Sequence, residues 1–323
     1  MSRPRIVVLD GYTLNPGDLD WEAIEALGDV TVYDRSGPLS AERAQGAPIV
    51  LTNKDIINAE LMAQLPELRY IGVLATGTNV VDLAAARQRG IVVTNIPGYG
   101  TTSVAQHVFA LLLELVNHVA RYDRAVRDGA WQGCPDFCFY VDSSVELAGK
   151  KLAIVGLGAI GQQVARIGHA FGMSILAAQQ RSADRVRIEG VALEWLPLDR
   201  LFAEADVVTL HCPLTEATQR MVNGARLAMM KPSAYLINTG RGPLVDEAAL
   251  GNALQQGQLA GVGLDVLSVE PPRERNPLIG APRCIITPHV AWGAREARRR
   301  LMQIAADNIN AYLRGEPIHV VNG

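Results

Sequence analysis

The run Leu152-Ala153-Ile154-Val155-Gly156-Leu157-Gly158-Ala159-Ile160-Gly161 constrains the fold of this chain more than any other stretch. A strand-length apolar segment ends in G-x-G-x-x-G, and Gln162-Gln163-Val164-Ala165-Arg166-Ile167 continues in helical pattern. Strand, tight turn and helix start, in that order, make a cradle for a dinucleotide pyrophosphate. Gly156 permits the turn, Gly158 lets the backbone approach the phosphates, and Gly161 lets helix and strand pack closely. The helix start at Ala159 and Ile160 offers free N–H groups and the positive end of the helix dipole to an anion. A glycine triplet alone is weak evidence; the flanking strand and helix carry the assignment.

Residues 1–151 precede this unit, enough for another domain, and the 323-residue length suggests two in all. The first hundred residues alternate strand-length runs (Ile6–Leu9, Val30–Tyr33, Ile49–Thr52, Ile71–Ala75, Ile91–Asn95) with helical segments Trp21–Leu27, Ile56–Leu65 and Val80–Arg89. Such alternation implies a parallel sheet with crossover helices. Pro97-Gly98 breaks the pattern, and one long helix is expected from Ser103 to about Arg127, partly buried against another subunit. Residues 129–148 read as an ordered connecting arm. A second α/β run follows, with strands Leu152–Val155, Ser174–Ala178, Val207–His211, Ala234–Asn238, Gly261–Val266 and Ile285–Thr287. Its helices include Leu198–Ala203, Gly224–Met229 and Glu247–Gln256, and a last helix runs from about Ala294 to Leu313. The halves are faintly alike: Val81-Asp82 and Val245-Asp246 each place an Asp at a helix start before a Gly-led strand.

With a net charge of −3, nothing favours nucleic acid or an anionic membrane as partner. The densest basic run, Arg295 with Arg298-Arg299-Arg300, reads as a solvated helix face. The start of the chain lacks a signal-peptide pattern and no apolar run suggests a membrane span, so a cytoplasmic protein is expected. Cys134, Cys138, Cys212 and Cys284 are too scattered for a disulfide framework and fit a reduced setting; no metal site is expected.

A nicotinamide enzyme acting on a carbonyl needs a proton donor and a cation for the substrate carboxylate. In doubly wound sheets ligands sit beyond the carboxyl ends of strands, where three polar residues stand in the second half. Arg241, in Asn238-Thr239-Gly240-Arg241-Gly242, suits bidentate binding of a carboxylate. His289, in Thr287-Pro288-His289, suits acid–base work near neutral pH. Glu270, in Leu264-Asp265-Val266-Leu267-Ser268-Val269-Glu270-Pro271, suits holding a histidine's tautomer and stabilising its imidazolium. His211, before Cys212-Pro213, also ends a strand and reads as a cofactor-wall residue; His107, His118, His169 and His319 read as structural or merely exposed.

These motifs, in this order and spacing over nearly the whole chain, resemble the D-isomer-specific 2-hydroxyacid dehydrogenase family. Leu9-Asp10-Gly11-Tyr12-Thr13-Leu14-Asn15-Pro16-Gly17-Asp18 and Asp136-Phe137-Cys138-Phe139 are similar to its glycerate dehydrogenase, or hydroxypyruvate reductase, branch. The resemblance implies Arg241 as substrate clamp, His289 as acid/base and Glu270 as its orienting partner. The substrate carboxylate would also meet the loop of Thr76, Gly77 and Thr78, with Asn53 and Lys54 nearby. It implies a flavodoxin-like substrate-binding domain, residues 1–98 plus 291–323. A Rossmann-type NAD(P)-binding domain, residues 99–290, is inserted in it, with a cleft between them and a helix and arm that build a homodimer. Further cofactor contacts would fall on Thr102, Cys212, Pro213, Thr218, Thr239, Gly240, Asp265, His289 and Gly293.

An NAD enzyme of this class usually ends its second strand in Asp or Glu; here Gln179 takes that place, followed by Gln180, Arg181 and Ser182. No carboxylate repels a 2′-phosphate, and a cation and a hydroxyl can receive it, which favours NADP(H) with NAD(H) as the alternative. The expected reaction is reduction of a small 2-oxo acid, hydroxypyruvate or glyoxylate foremost, to the D-2-hydroxy acid. The alternatives are a phosphoglycerate- or phosphite-type dehydrogenase of the family and, from another class, a nucleotide-sensing corepressor-like protein.

Overall fold

In the computed structural model, which describes residues 3–178, 186–273 and 275–323, the chain divides into two compact units, Met1–Gly100 with Trp292–Gly323, and Thr101–Ala291. The apolar runs of the first unit form strands β1 (Arg5–Val8), β2 (Asp29–Val32), β3 (Ile49–Thr52), β4 (Tyr70–Val73) and β5 (Val92–Thr94). They pair in the order β2-β1-β3-β4-β5, all parallel. Side chains alternate across a strand, so both faces of this sheet are apolar. Ile6 and Val8 face a core with Ala297, Leu301 and Ile309 of the last helix, Arg295–Leu313. Val7 and Leu9 face the opposite core, with Met62, Ala85 and Ala86.

The second unit holds β6 (Lys151–Val155), β7 (Ser174–Ala178), β8 (Leu193–Leu196), β9 (Val207–Leu210), β10 (Tyr235–Asn238), β11 (Gly261–Leu264) and β12 (Cys284–Ile286). Their order is β12-β11-β10-β9-β6-β7-β8, again all parallel. Leu152 and Ile154 pack with the helices Thr101–Asn117 and Ala159–Ala170; Ala153 and Val155 pack into the core on the other face. The order reverses at β6, so the glycine turn that follows β6 lies at the switch point where such sheets open a crevice. A flavodoxin-like sheet and a Rossmann-type sheet are the expected fold class.

Three readings need correction. The helix expected over Ser103–Arg127 is two, Thr101–Asn117 and Val119–Arg127, bent by 54°. They meet at His118, whose φ of 54° no helix accepts, and the Glu114 carboxylate caps the second helix by accepting Ala120 N–H. Strand β8 went unread because it is an edge strand, half-exposed and carrying a Glu. The basic run is not simply a solvated face. Arg298 is buried, donates through Nη1 and Nη2 to Asp18 at 2.7 and 2.6 Å, and reaches the Leu14 carbonyl at 3.0 Å. Arg300 donates to the Tyr99 carbonyl.

The Arg298 guanidinium holds the Asp18 carboxyl below its ordinary value. A depressed folded value adds stability above the ordinary carboxylate range, and that stability is lost as pH falls through the folded value. Asp18→Asn therefore lowers Tm at pH 7, and the gap to wild type closes below about pH 4. Thermal melts of both proteins from pH 7 to 3 check this; a gap independent of pH overturns it.

The likeness between the halves has a structural counterpart. Asp82 and Asp246 both cap helices, accepting from Ala85 N at 2.9 Å and Ala249 N at 3.0 Å. Val81 and Val245 each form a parallel bridge, to Ile57 and Val222. Among the described residues no single helix is long and apolar enough to cross a membrane.

Candidate active site

Because every strand of the second sheet is parallel, the segments after β6, β9, β10, β11 and β12 share one edge. Backbone bonds continue the ladder into these loops: His211 N to Val155 O at 2.7 Å, Asp265 N to Asn238 O at 2.9 Å, Thr287 N to Leu264 O at 2.8 Å. Loops fixed in this way hold side chains with little freedom.

His289 and Glu270 meet there. His289 Nδ1 lies 2.6 Å from Glu270 Oε2, and Glu270 Oε1 accepts Leu267 N–H at 2.9 Å. His289 has φ 53°, and its N–H donates to the Asp265 carbonyl at 2.8 Å. Arg241 stands on the neighbouring loop, exposed, with Nη1 donating to the Gly240 carbonyl at 2.8 Å. That loop is shaped by Asn238, which donates to the Arg241 carbonyl and accepts Gly240 N–H. It also lies hard against the loop carrying Glu270: a Cβ on Gly242 would fall 2.0 Å from the Leu267 carbonyl carbon. The loop that carries Arg241 is thereby packed, backbone to backbone, against the loop that leads to Glu270.

His211 differs from His289 in kind. Its Nε2 contacts Thr209 Oγ1 at 2.9 Å, and burial pushes its imidazole down to about 4. The ring is therefore neutral near pH 7 and lacks the imidazolium proton that a general acid gives.

The glycine turn fits a dinucleotide by what each position tolerates. Gly156 has φ 103°, and a Cβ there would lie 2.4 Å from Cys212 N; one on Gly161 would lie 2.1 Å from Gly156 O. A Cβ on Gly158 meets nothing within 4 Å. Two glycines are thus required by packing, and the middle one borders open space. The helix beginning at Ala159 and Ile160 has no side-chain cap. Thr239 Oγ1, buried beside the same edge, has no hydrogen-bond partner among the described residues. An uncapped helix start, open space and an orphaned hydroxyl suit the phosphates and hydroxyls of such a cofactor.

Other residues expected at the cofactor are placed as follows. Thr218 Oγ1 donates to the Pro213 carbonyl at 2.7 Å and so folds the loop after His211 and Cys212. Thr102 is exposed in the first turn of its helix. Asp265 is buried, and its carboxylate accepts from Thr287 Oγ1, Val290 N and Ala291 N. Gly293 falls in the first unit, its carbonyl accepting from Arg298 Nε. Gln179, Gln180, Arg181 and Ser182 lie outside the described residues.

In the first unit, Asn53 is buried after β3 and donates to the Leu74 carbonyl at 2.7 Å. Thr76 is tied to Ile96 and Asn95, and Gly77 and Thr78 continue its loop after β4. Sequence reasoning missed Asp10, which accepts N–H bonds from Asn53, Lys54 and Asp55. Burial pushes its carboxyl above the ordinary value despite them. Sequence reasoning gave His107, read as structural or merely exposed, no partner; its Nε2 lies 2.9 Å from Thr287 Oγ1. The available signals were an Asp directly after an apolar strand and a His inside an apolar helix.

Residues 109–291 match the family described as D-isomer specific 2-hydroxyacid dehydrogenase, NAD binding domain. The chain is 46% identical over 322 residues to the hydroxypyruvate reductase of Blautia hydrogenotrophica, covering 98% of this chain and 99% of that protein. It is 42% identical to the glycerate dehydrogenase of Methylorubrum extorquens, covering 87% of each. The solved NADPH-dependent glyoxylate/hydroxypyruvate reductase of Sinorhizobium meliloti, in complex with NADP and malonate, has a TM-score of 0.82 at 31% identity, covering 99% of this chain and 97% of that one. A parallel sheet with a glycine turn at its switch point, a His–Glu pair on the same edge and likeness along almost the full length make the chain a member of the D-isomer-specific 2-hydroxyacid dehydrogenase family, whose cofactor is a nicotinamide dinucleotide.

Proposed function

We propose that the chain reduces hydroxypyruvate and glyoxylate to the corresponding 2-hydroxy acids, with NADP(H) preferred over NAD(H). The observation that carries this reading is the 2.6 Å contact between His289 Nδ1 and Glu270 Oε2 on the edge that also bears Arg241 and the glycine turn. Relatives named for hydroxypyruvate, glycerate and glyoxylate support the substrate class. The cofactor preference rests on the sequence Gln179-Gln180-Arg181-Ser182, which lacks an acid.

Ala159 and Ile160 of the helix start, with Gly158 and Thr239, would hold the dinucleotide, which supplies hydride to the 2-carbonyl carbon. Arg241 holds the substrate carboxylate as a bidentate guanidinium partner. Glu270 engages His289 Nδ1 and leaves Nε2 as the nitrogen that gives a proton to the carbonyl oxygen. In the oxidative direction the same Nε2 takes the proton back.

Two further readings accompany this one. The arm exposes Trp131, Phe137 and Tyr140, at 53%, 89% and 84%, which supports burial by a second copy of the chain; sedimentation of the purified protein as a monomer overturns it. The four cysteines are free thiols, which supports a reducing, cytoplasmic setting; fractionation of the source cells tests it.

The activity is tested by steady-state rates at 340 nm with hydroxypyruvate, glyoxylate, pyruvate and 2-oxobutyrate, each with NADH and NADPH. Hydroxypyruvate or glyoxylate with NADPH is expected to have the highest kcat/KM. No turnover with either dinucleotide sinks the reading; a preference for NADH sinks only the cofactor assignment.

A further inference from the structure

His107 projects from the helix Thr101–Asn117, between the buried residues Ala105 and Phe109. Its Nε2 lies 2.9 Å from Thr287 Oγ1 and 3.5 Å from Asp265 Oδ1. Thr287 Oγ1 is in turn 2.6 Å from Asp265 Oδ1. A hydroxyl carries one proton and two acceptor sites. The buried carboxylate is the strongest acceptor in reach and takes that proton. The hydroxyl then has only acceptor capacity to offer His107, so His107 Nε2 is the protonated ring nitrogen. The chain of bonds runs one way, from His107 Nε2–H to Thr287 Oγ1, and from Thr287 O–H to Asp265.

The far end of this chain is the loop of the acid–base histidine. Asp265 accepts Val290 N–H at 2.9 Å and Ala291 N–H at 2.8 Å, and its backbone carbonyl accepts His289 N–H at 2.8 Å. His289 sits between these anchors at φ 53°, a left-handed conformation that a residue with a Cβ holds only when its surroundings enforce it. Thr287, two residues before His289, and Val290, the residue after it, are therefore tied to one carboxylate. His107 secures that arrangement from a helix distant in sequence.

We propose that His107 is a positioning residue for proton transfer: its Nε2–H locks Thr287 and Asp265, and these hold His289 in the conformation in which Nδ1 meets Glu270. The proposal rests on the assignment of His289 as the acid/base. Displacing a proton donor by a fraction of its hydrogen-bond length lowers the rate of the step that uses it, with little change in binding.

The test compares His107→Leu, which removes the donor, with His107→Gln, whose side-chain amide offers an N–H at similar reach. In the full-length protein, His107→Leu is expected to lower kcat about 10- to 100-fold, the effect of one lost buried hydrogen bond transmitted to the transition state. KM for the 2-oxo acid, and dinucleotide affinity by fluorescence quenching, should change less than about threefold. His107→Gln should recover most of kcat. Amide hydrogen exchange over residues 287–291 should quicken in His107→Leu and return towards wild type in His107→Gln. If His107→Leu does not fold, Thr287→Val cuts the same chain at its middle and should give the same loss and the same exchange.

Wild-type kcat in His107→Leu, failure of His107→Gln to recover it, or unchanged exchange at 287–291 each overturns the proposal. His289→Asn measured alongside separates the two assignments. Wild-type turnover in that variant removes His289 as acid/base, and the positioning role with it. Lost turnover there with full turnover in His107→Leu removes the positioning role alone.

Discussion

Replacing His289 with Asn lowers kcat for 2-oxo-acid reduction by about 10²- to 10⁴-fold, the range associated with removing a general acid. Asn suits the test because it tolerates the left-handed backbone that His289 adopts at φ 53°. The loop keeps its shape, and the loss reports chemistry and not refolding of the site. No other histidine of this edge replaces it: burial holds His211 at about 4, so its ring lacks the imidazolium proton near neutrality. Tm should stay near wild type, since the bonds that anchor the loop come from backbone amides and Asp265. Glu270→Gln should cost less. The carboxylate accepts from both Leu267 N and His289 Nδ1, and an amide can satisfy one of them but turns its NH2 toward the other. A kcat for His289→Asn within tenfold of wild type removes it from the proton-transfer step.

The glycine turn yields the second large effect, because its positions respond in opposite ways. Gly158→Ala places a Cβ where nothing lies within 4 Å, so the fold accepts it and Tm holds. The same methyl occupies the space that a pyrophosphate needs for close approach to the backbone, and dinucleotide affinity should fall about tenfold or more. Gly161→Ala instead drives a Cβ to 2.1 Å from Gly156 O, a contact relieved only by moving the helix off β6. That variant should lose about 1–3 kcal/mol of stability, as overpacking does, and bind poorly because the turn is displaced. Fluorescence titration with NADPH and NADH, paired with thermal melts, distinguishes the two. Undiminished affinity in Gly158→Ala removes the turn as the cofactor cradle.

Much of this molecule was legible because its signals are local. A parallel sheet covered on both faces needs continuous apolar runs, and Ile49–Thr52 and Ser174–Ala178 show that directly. Asp82 and Asp246 bond amides three residues ahead, so their caps are visible in sequence. Where the partner is remote, the reading failed. Arg298 looked like one more surface cation until folding brought Asp18, 280 positions away, onto its guanidinium. The partner of His107 was likewise invisible until Thr287, 180 positions away, came within 2.9 Å, a bond that agrees with a structural histidine. The break at His118 depends on Glu114 capping the next helix and leaves no Pro or Gly to announce it.

Residue type and position after a strand nominated Arg241, Glu270 and His289 as candidates, because in a parallel sheet every strand delivers its carboxyl end to the same edge. The pairing of His289 with Glu270 entered the sequence reading only through the family resemblance, and neither the orientation of the ring nor the protonation of His211 was legible there. Those depend on distances set by non-local packing: a 2.6 Å contact between loops, a carboxylate holding two amides near His289, and burial that keeps the His211 ring neutral. Backbone pattern is encoded by neighbours along the chain, whereas electrostatics and reach are settled only when distant segments share the same space.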